Sequence, residues 1–230
     1  MARTLISPQK KELVYVRNFT NRLLHWLMFF SVMVLLPTGY YIGSPTAFFG
    51  QGEAYQAFVM ADIRLYHFYA AMTLDISIML RFYLAFFSLY HRDWNELLPL
   101  PSNIAGAIRI VKNYFTFDKP PFFRHVDPFD GLLFLLLHLF MVLQLVTGFH
   151  LYVHALPPDY WWSELIHLGT DWIGWVLGSD QMVRLVHHMM LWIMISGIII
   201  HVYIQVAKTI IWQDGHIGSI VGGYKYKDVD

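Results

Sequence analysis

The sequence predicts an all-α integral membrane protein built as a four-helix bundle. Of its 230 residues, 57% are hydrophobic and only 14% are charged, whereas a soluble domain normally carries about 25% charged residues. Four apolar runs each reach the roughly 20 residues that cross a bilayer core. Because only helices and closed barrels satisfy the backbone in lipid, continuous runs of this length predict helices.

The predicted helices cover, in chain order, residues 20–43, 62–90, 130–156 and 181–208. We expect them to form a single transmembrane domain, residues 1–230. The first run is too long for a signal-peptide core and no small-residue cleavage site follows it, so we expect a retained helix. The second run is long and contains Arg64, Asp75 and Arg81, whereas the third, counted from Gly131 to Leu156, contains no Asp, Glu, Lys or Arg.

The positions of Lys and Arg predict the orientation of the helices. Five lie in the N-terminal segment, five between residues 91 and 130, and three near the C-terminus. The two intervening connections, residues 43–62 and 157–182, hold none. Since cytoplasmic loops carry the excess of basic residues, we expect both termini in the cytoplasm. The opposite connections are rich in aromatic residues, which is typical of the lipid headgroup zone or of a partner contact.

Composition also excludes several classes of function. The chain contains no Cys, which rules out disulfides, thiolate zinc sites, iron–sulfur clusters held by this chain, covalent c-type haem and a Cys nucleophile. A formal net charge of zero argues against nucleic acid as a partner. Histidine is plentiful, at 12 residues, and its positions carry the functional prediction.

Two histidines of the fourth helix have a spacing that places them on one face. His187 and His201 are 14 residues apart, so they lie about 40° apart around the helix and about 21 Å apart along it. His188 lies about 140° from the face of His201 and is expected to point elsewhere. The spacing indicates two stacked sites on one helix.

Each site needs a second ligand from another helix. By depth in the bilayer, His25 of the first helix pairs with His201, and His67 of the second helix pairs with His187. Two axial imidazoles saturate a haem iron, which suits electron transfer. We therefore expect two haem b groups, an inner one between His25 and His201 and an outer one between His67 and His187, and no catalytic residue. The alternative is that these histidines only hydrogen-bond between helices.

Arginines accompany three of the four histidines. Arg22, Arg64 and Arg184 each precede a histidine by three residues, which places each Arg about one turn away on roughly the same side. A guanidinium there is expected to neutralise a haem propionate, although an Arg reaching to water at a helix end is the alternative. Arg81, 14 residues beyond His67, is expected to hold a propionate or a quinone oxygen.

Two glycines are expected to make room for porphyrin. Gly39 follows His25 by 14 residues and so faces the outer haem. Gly148, within Thr147-Gly148-Phe149, repeats the pattern of Thr38-Gly39-Tyr40 in the third helix.

Other polar residues lie in the predicted helices and in the segments between them. Asp75 lies near mid-membrane, where a proton route and a helix-packing hydrogen bond both remain open. His138 is interpreted as an interhelical residue. Solvation is expected for the six other histidines: His91, His125, His150, His154, His167 and His216.

Several short motifs together resemble one family over nearly the whole chain. They are Arg22-Leu-Leu-His25-Trp26, Thr38-Gly-Tyr-Tyr-Ile-Gly-Ser-Pro45, Gly52-Glu-Ala54, Ile63-Arg-Leu-Tyr-His67-Phe68, Arg81-Phe-Tyr-Leu-Ala-Phe86, Thr147-Gly-Phe149, His187-His188, His201-Val-Tyr203 and Ser219-Ile-Val-Gly-Gly-Tyr-Lys225. The chain resembles the b-type cytochrome subunit of membrane-bound nickel–iron uptake hydrogenases, within the bacterial cytochrome b561-like superfamily. The segment from Pro99 to Asp130 is less basic and more aromatic than this family leads us to expect.

The resemblance implies two b haems held by His25, His67, His187 and His201. It also implies a multi-pass protein of the prokaryotic cytoplasmic membrane, whose partners are the large subunit and the iron–sulfur small subunit of a periplasmic hydrogenase. Electrons would pass from the small subunit through both haems to quinone, as in a hydrogen:quinone oxidoreductase, with no H2 chemistry in this chain.

Two alternatives stay open at this point. The first is the cytochrome subunit of a formate dehydrogenase or thiosulfate reductase, or a free-standing cytochrome b561. The second is a haem-free membrane anchor or transporter.

Overall fold

The computed structural model describes residues 10–45, 58–89, 92–116, 118, 120–156 and 160–229. The chain forms two compact units. Unit 1 comprises Met1–His25, Asp93–Leu133 and Ile200–Asp230, and unit 2 comprises Trp26–Arg92 and Phe134–Ile199. The Gly52-Glu53-Ala54 motif and His91 lie outside the described residues.

Within the described residues, four long apolar helices confirm the predicted spans, as expected for a helical membrane bundle. They are α1 (Phe19–Gly43), α2 (Val59–Phe87), α5 (Pro128–Val153) and α7 (Asp180–Ile211), and each is long and apolar enough to cross a membrane. Helix α2 ends three residues before the predicted boundary, because Ser88 adopts an extended conformation. The prediction of a single domain stays a prediction.

Helix α5 begins two residues before the predicted start, and its first turn shows why. Pro128 occupies the first helical position, where the missing N–H is not needed. The Asp127 carboxylate then accepts hydrogen bonds from the backbone N–H groups of Phe129 (3.1 Å) and Asp130 (3.0 Å). This is the N-cap arrangement that stabilises a helix start.

The core of unit 2 is formed by side chains of α2, α5 and α7 that pack together. Leu74 and Ile78 of α2 pack with Met141 of α5 and Met194 of α7. On α7, a Cβ added to Gly197 would lie 2.8 Å from a methyl group of Leu137. The missing side chain therefore lets α7 approach α5 closely.

Unit 1 contains a small sheet that the all-α prediction does not include. Strand β1 (Lys11–Tyr15) pairs antiparallel with β2 (Tyr224–Asp228), with Leu13 opposite Tyr226. The pairing joins segments from the two ends of the chain, and such a distant partner leaves no local signal in the sequence. Just before β2, helix α8 (His216–Gly222) is followed by its C-cap residue Gly223, whose φ of 88° favours glycine.

Three further elements fill the connections between the long helices. They are α3 (Trp94–Leu97) and α4 (Pro101–Thr116) in unit 1, and α6 (Trp161–Leu177) in unit 2. On α6, an exposed stripe of apolar side chains follows the helical period: Trp161, Leu165, Leu168, Trp172 and Trp175. Ser163, Thr170 and Ile173 of the same helix are buried, so the apolar stripe lies on the side of α6 opposite its buried face.

Candidate functional site

His67 and His187 form one histidine pair, within unit 2. His67 lies on α2 and His187 on α7, and both rings are partly buried. The two rings are close enough to interact electrostatically. The structure thus brings together the two residues that the sequence assigned to one site.

A threonine hydroxyl holds each ring of this pair. Thr38 Oγ1 lies 2.9 Å from Nδ1 of His67 and donates to the carbonyl of Val34 at 2.6 Å. Thr147 Oγ1 lies 2.8 Å from Nδ1 of His187 and donates to the carbonyl of Leu143 at 2.8 Å. Residue spacing did not predict this role, although the Thr-Gly dipeptide occurs at both positions.

These hydrogen bonds favour one tautomer of both imidazoles. A hydroxyl has one hydrogen, and when each threonine directs it to a backbone carbonyl, its oxygen accepts from the histidine. In that arrangement Nδ1 of His67 and of His187 carries the proton. Nε2 keeps its lone pair, which is the donor that a metal ion takes from a neutral imidazole.

The two predicted glycines lie directly against these rings. A Cβ added to Gly39 would lie 3.2 Å from Cε1 of His67, and one added to Gly148 would lie 3.2 Å from Cε1 of His187. The glycines thus provide space for the imidazoles beside the threonines. Clearance of a porphyrin by the same glycines stays a prediction.

His188 occupies a different position from its neighbour. Its ring centroid is 6.3 Å from that of His187. A Cβ added to Gly43 at the end of α1 would lie 3.2 Å from both Cε1 and Nε2 of His188. His188 therefore packs on the last turn of α1, and the hydrogen bond with Thr147 is made by His187.

His25 and His201 form the second pair, within unit 1. Their ring centroids are 6.5 Å apart and the ring planes are inclined by 50°. Two metal–nitrogen bonds of about 2 Å each, together with the radii of two imidazole rings, come to roughly the same separation. The spacing therefore leaves room for one metal ion between the rings.

Charged residues surround the second pair, unlike the first. Asp130, Arg17 and Lys208 all act electrostatically on His201. Arg17 also donates from Nε to the Ser219 hydroxyl at 3.1 Å. Residue spacing did not predict a role for Arg17 or Lys208 here, because neither precedes a histidine by three residues.

The four predicted arginines have different surroundings. Arg64 and Arg184 are exposed and Arg81 is partly buried. Arg22 donates from Nη1 to the carbonyl of Val221 in α8, and its guanidinium lies over the ring of Phe19 at 5.9 Å. The propionate and quinone roles of these arginines stay predictions.

Near His201, unit 1 contains a buried charge cluster, formed by Asp127, Asp130, Lys208 and His216. The Lys208 ammonium contacts the Asp127 carboxylate and lies 2.7 Å from Oδ1 of Asp130. Nε2 of His216 lies 3.6 Å from Oδ2 of Asp130. His216 is only 6% exposed, so the expectation that it is solvated is wrong: the turn before α8 folds it inward.

The pKa shifts at the edge of this cluster follow from burial and from neighbouring charge. Burial, together with the nearby Asp130 carboxylate, raises the pKa of Asp127. Burial lowers the pKa of Lys225 to about 8, and the Arg17 charge acts in the same direction. Burial acts to raise the pKa of Asp214, but the hydrogen bond from His216 outweighs it and leaves that pKa below its ordinary value.

Asp75 and His138 are the other polar residues of the long helices. Asp75 is 7% exposed, and neither carboxylate oxygen has a hydrogen-bond partner in the part of the chain that the structure describes. Nδ1 of His138 bonds to the carbonyl of Phe134 at 2.6 Å, one turn earlier on its own helix. Its ring contacts Phe82 of α2 edge-on, so the interhelical contact of His138 is aromatic.

His150 departs from its predicted environment, whereas His125 is exposed as expected. His150 is only 1% exposed, so the expectation of solvation is wrong. The end of α5, helix α6 and the start of α7 enclose its ring, and their fold is not visible in the local sequence.

Comparison with known proteins gives a consistent result. Residues 16–223 match the family model described as prokaryotic cytochrome b561. A protein of Azotobacter vinelandii named "Probable Ni/Fe-hydrogenase B-type cytochrome subunit" is 32% identical over 229 residues, covering 96% of this chain and 92% of the relative.

Two further relatives carry similar names. A protein of Rhizobium leguminosarum bv. viciae with the same name is 29% identical over 95% of this chain and 92% of its own length. In Escherichia coli (strain K12), the "Probable Ni/Fe-hydrogenase 1 B-type cytochrome subunit" is 29% identical over 92% of this chain and 90% of its own length.

Proposed function

The chain belongs to the prokaryotic cytochrome b561 family, and we propose that it is the b-type cytochrome subunit of a membrane-bound nickel–iron hydrogenase. Its part is electron transfer from the iron–sulfur small subunit to quinone. The relatives named as hydrogenase cytochromes support the partner. The observation that carries the proposal is the arrangement of four histidines in two pairs, each pair taking one residue from α7.

The residues present fit haem b as the group between each pair. The fit rests on the 6.5 Å separation of the His25 and His201 rings. For His67 and His187 it rests on the threonine hydrogen bonds, which leave Nε2 unprotonated. Haem b held by these residues would supply single-electron exchange, and with both ligands from the chain it would leave no position for a substrate. Threonine and glycine keep the His67 and His187 rings in place.

The remaining assignments follow the distribution of charge. Arg22, Arg64 and Arg184 neutralise propionates, and Arg81 holds a propionate or a quinone oxygen. Both termini face the cytoplasm because the basic residues lie on that side. This places the His67–His187 pair toward the periplasm, next to the hydrogenase subunits, and the His25–His201 pair toward the cytoplasm.

A visible spectrum with haem quantification tests the ligand assignment. The purified complex is expected to show reduced α and Soret bands of b type. His187→Ala is expected to remove about half of the haem, and so is His201→Ala, whereas the control His188→Ala keeps it all. A colourless chain, or full haem content after both substitutions, would contradict the proposal.

The partner is tested separately by isolating the complex through a tag on this chain. Nickel and iron–sulfur subunits are expected in the isolated complex. Recovery of a molybdenum-containing partner would instead identify a formate dehydrogenase or thiosulfate reductase type of complex.

A further step concerns the membrane potential. If quinone takes its protons from the cytoplasm while H2 releases its protons outside, turnover charges the membrane. Reconstitution in sealed vesicles, followed by a potential-sensitive dye during H2-driven quinone reduction, tests this step. The absence of a potential would remove it and leave the electron-transfer role intact.

A further inference from the structure

A second cluster of histidines lies in unit 2, outside both pairs. It joins the end of α5, the middle of α6 and the first residue of α7. Its members are His150, His154, His167, Asp171 and Asp180. None of these residues has a role in the proposed electron transfer.

Oδ1 of Asp171 is the point on which the histidines converge. It lies 3.1 Å from Nε2 of His154 and 3.7 Å from Nδ1 of His150. A tetrahedral zinc ion with bonds of about 2.0–2.1 Å separates its ligand atoms by roughly 3.3 Å. The ligand atoms of these three residues all lie within 4.8 Å of one another, so one ion reaches all three.

Asp180 contacts the opposite side of both imidazoles. Its Oδ1 lies 3.1 Å from Nε2 of His150, and its Oδ2 lies 3.1 Å from Nδ1 of His154. A carboxylate that accepts the second N–H of a metal-binding histidine fixes its tautomer and orients it. When Asp180 accepts these two protons, the lone pairs of both rings point toward Asp171.

Nδ1 of His150 gives an independent indication of a ligand. The residue is 1% exposed, yet this nitrogen has no hydrogen-bond partner among the residues that the structure describes. Buried polar atoms are almost always bonded to a partner, and an exception in a native protein indicates an ion, a water or a functional role. A metal ion at this nitrogen satisfies it.

Gly174 makes the position of His150 possible. A Cβ added to Gly174 would lie 2.8 Å from Cε1 of His150, closer than packed carbon atoms approach. Gly174 follows Asp171 by three residues on α6, so one face of this helix supplies both a carboxylate and the space for the ring. The exposed apolar stripe of α6 is formed by other residues of the helix. The face that carries Asp171 and Gly174 therefore does not interrupt it.

We propose that His150, His154 and Asp171 bind a divalent transition-metal ion, with Zn²⁺ as the best match to two imidazoles and one carboxylate in a tetrahedral site. Water completes the tetrahedron. His167, whose Nδ1 lies 3.0 Å from Oδ1 of Asp171, orients the carboxylate. The charge of the ion is balanced by Asp171 and Asp180.

The expected role of the ion is to tie three helices together. It links the end of α5, which carries Thr147, to α6 and, through Asp180, to the start of α7, which carries His187. Because metal binding to a folded site stabilises that fold, loss of the ion is expected to loosen this region.

Metal analysis of the purified intact complex tests the proposal. The complex is isolated through a tag that contains no histidine, and zinc is counted per copy of this chain. We expect about one zinc in the wild type and in the control His125→Ala, which changes an exposed histidine. His154→Ala and Asp171→Ala are expected to lose at least 90% of it. These two side chains are 32% and 54% exposed, so the variants are expected to fold, and an unchanged helical content by circular dichroism checks this.

Two further measurements decide the outcome. X-ray absorption at the zinc edge is expected to show four nitrogen or oxygen ligands at about 2.0 Å. His167→Ala is expected to weaken zinc binding by roughly 10- to 100-fold while leaving a filled site at high zinc concentration. The proposal is overturned if the wild type holds no zinc after exposure to it, or if the His154 and Asp171 variants retain the zinc of the wild type. Neither result affects the haem proposal, whose readout is the visible spectrum.

Discussion

The two histidine pairs have contrasting surroundings. Neutral contacts hold the His67–His187 pair: a threonine hydroxyl at each Nδ1 and a glycine beside each ring. Around the His25–His201 pair, Arg17, Lys208 and Asp130 act electrostatically on His201. The first environment fixes ring orientation through short-range geometry. The second acts through buried charge, whose energy is larger and depends on every partner being present.

The substitution with the largest expected effect on stability tests the charged environment of the His25–His201 pair. Lys208→Met leaves Asp127 and Asp130 buried without their cation, and breaking a buried ion pair in this way costs about 3–5 kcal/mol. The free energy of unfolding, measured in detergent, is expected to fall by that amount, and haem between His25 and His201 is expected to be lost first. Lys227→Met, at an exposed lysine, serves as the control. Equal effects of the two substitutions would remove the special role of the charge cluster.

The pH dependence of the free energy of unfolding tests the role of buried charge in unit 1. The pKa of Lys225 is about 8 in the folded chain against an ordinary 10.5. Between these values the folded chain binds fewer protons than the unfolded chain, so the Lys225 contribution to stability rises with pH. At about 1.4 kcal/mol per pKa unit, the free energy of unfolding of Lys225→Met relative to that of the wild type is expected to fall by about 2 kcal/mol from pH 7.5 to 9.5. Unfolding titrations at both pH values measure it. A constant difference would contradict the assigned pKa.

Substitution of a glycine tests the steric side of the comparison. Gly148→Ala places a methyl group 3.2 Å from Cε1 of His187, and overpacking of this kind costs about 1–3 kcal/mol. We expect a lower unfolding midpoint and less haem between His67 and His187. Gly169→Ala, where nothing lies within 4 Å of the added carbon, is the matched control and is expected to be harmless. A harmless Gly148→Ala would show that the ring moves freely.

The smallest expected effect concerns a single hydrogen bond. Thr147→Val removes the acceptor for Nδ1–H of His187, at a cost of about 1 kcal/mol. Redox titration is expected to show a shifted potential for the haem at His187 and an unchanged one for the other haem. Thr147→Ser keeps the hydroxyl and is expected to restore the potential. A serine variant that behaves like valine would assign the effect to packing.

The four long helices could be predicted because composition and length suffice for membrane spans. Their ends were less predictable, since Asp127 and Ser88 set two of them through local hydrogen bonding and backbone conformation. The His25–His201 and His67–His187 pairings followed from helical spacing and depth. The sequence did not predict the threonine contacts, because a threonine that precedes a glycine has no characteristic spacing to a histidine on another helix.

The sequence by itself determined the helical membrane architecture, the family and the two histidine pairs, because helical periodicity and bilayer thickness turn residue spacing directly into position. Only the tertiary structure decided that His150 and His216 are buried, that the strands at the two ends pair, and that Lys208 lies between two carboxylates. Those features depend on residues far apart in the chain, and the energy of a buried charge or nitrogen depends on its partners in space.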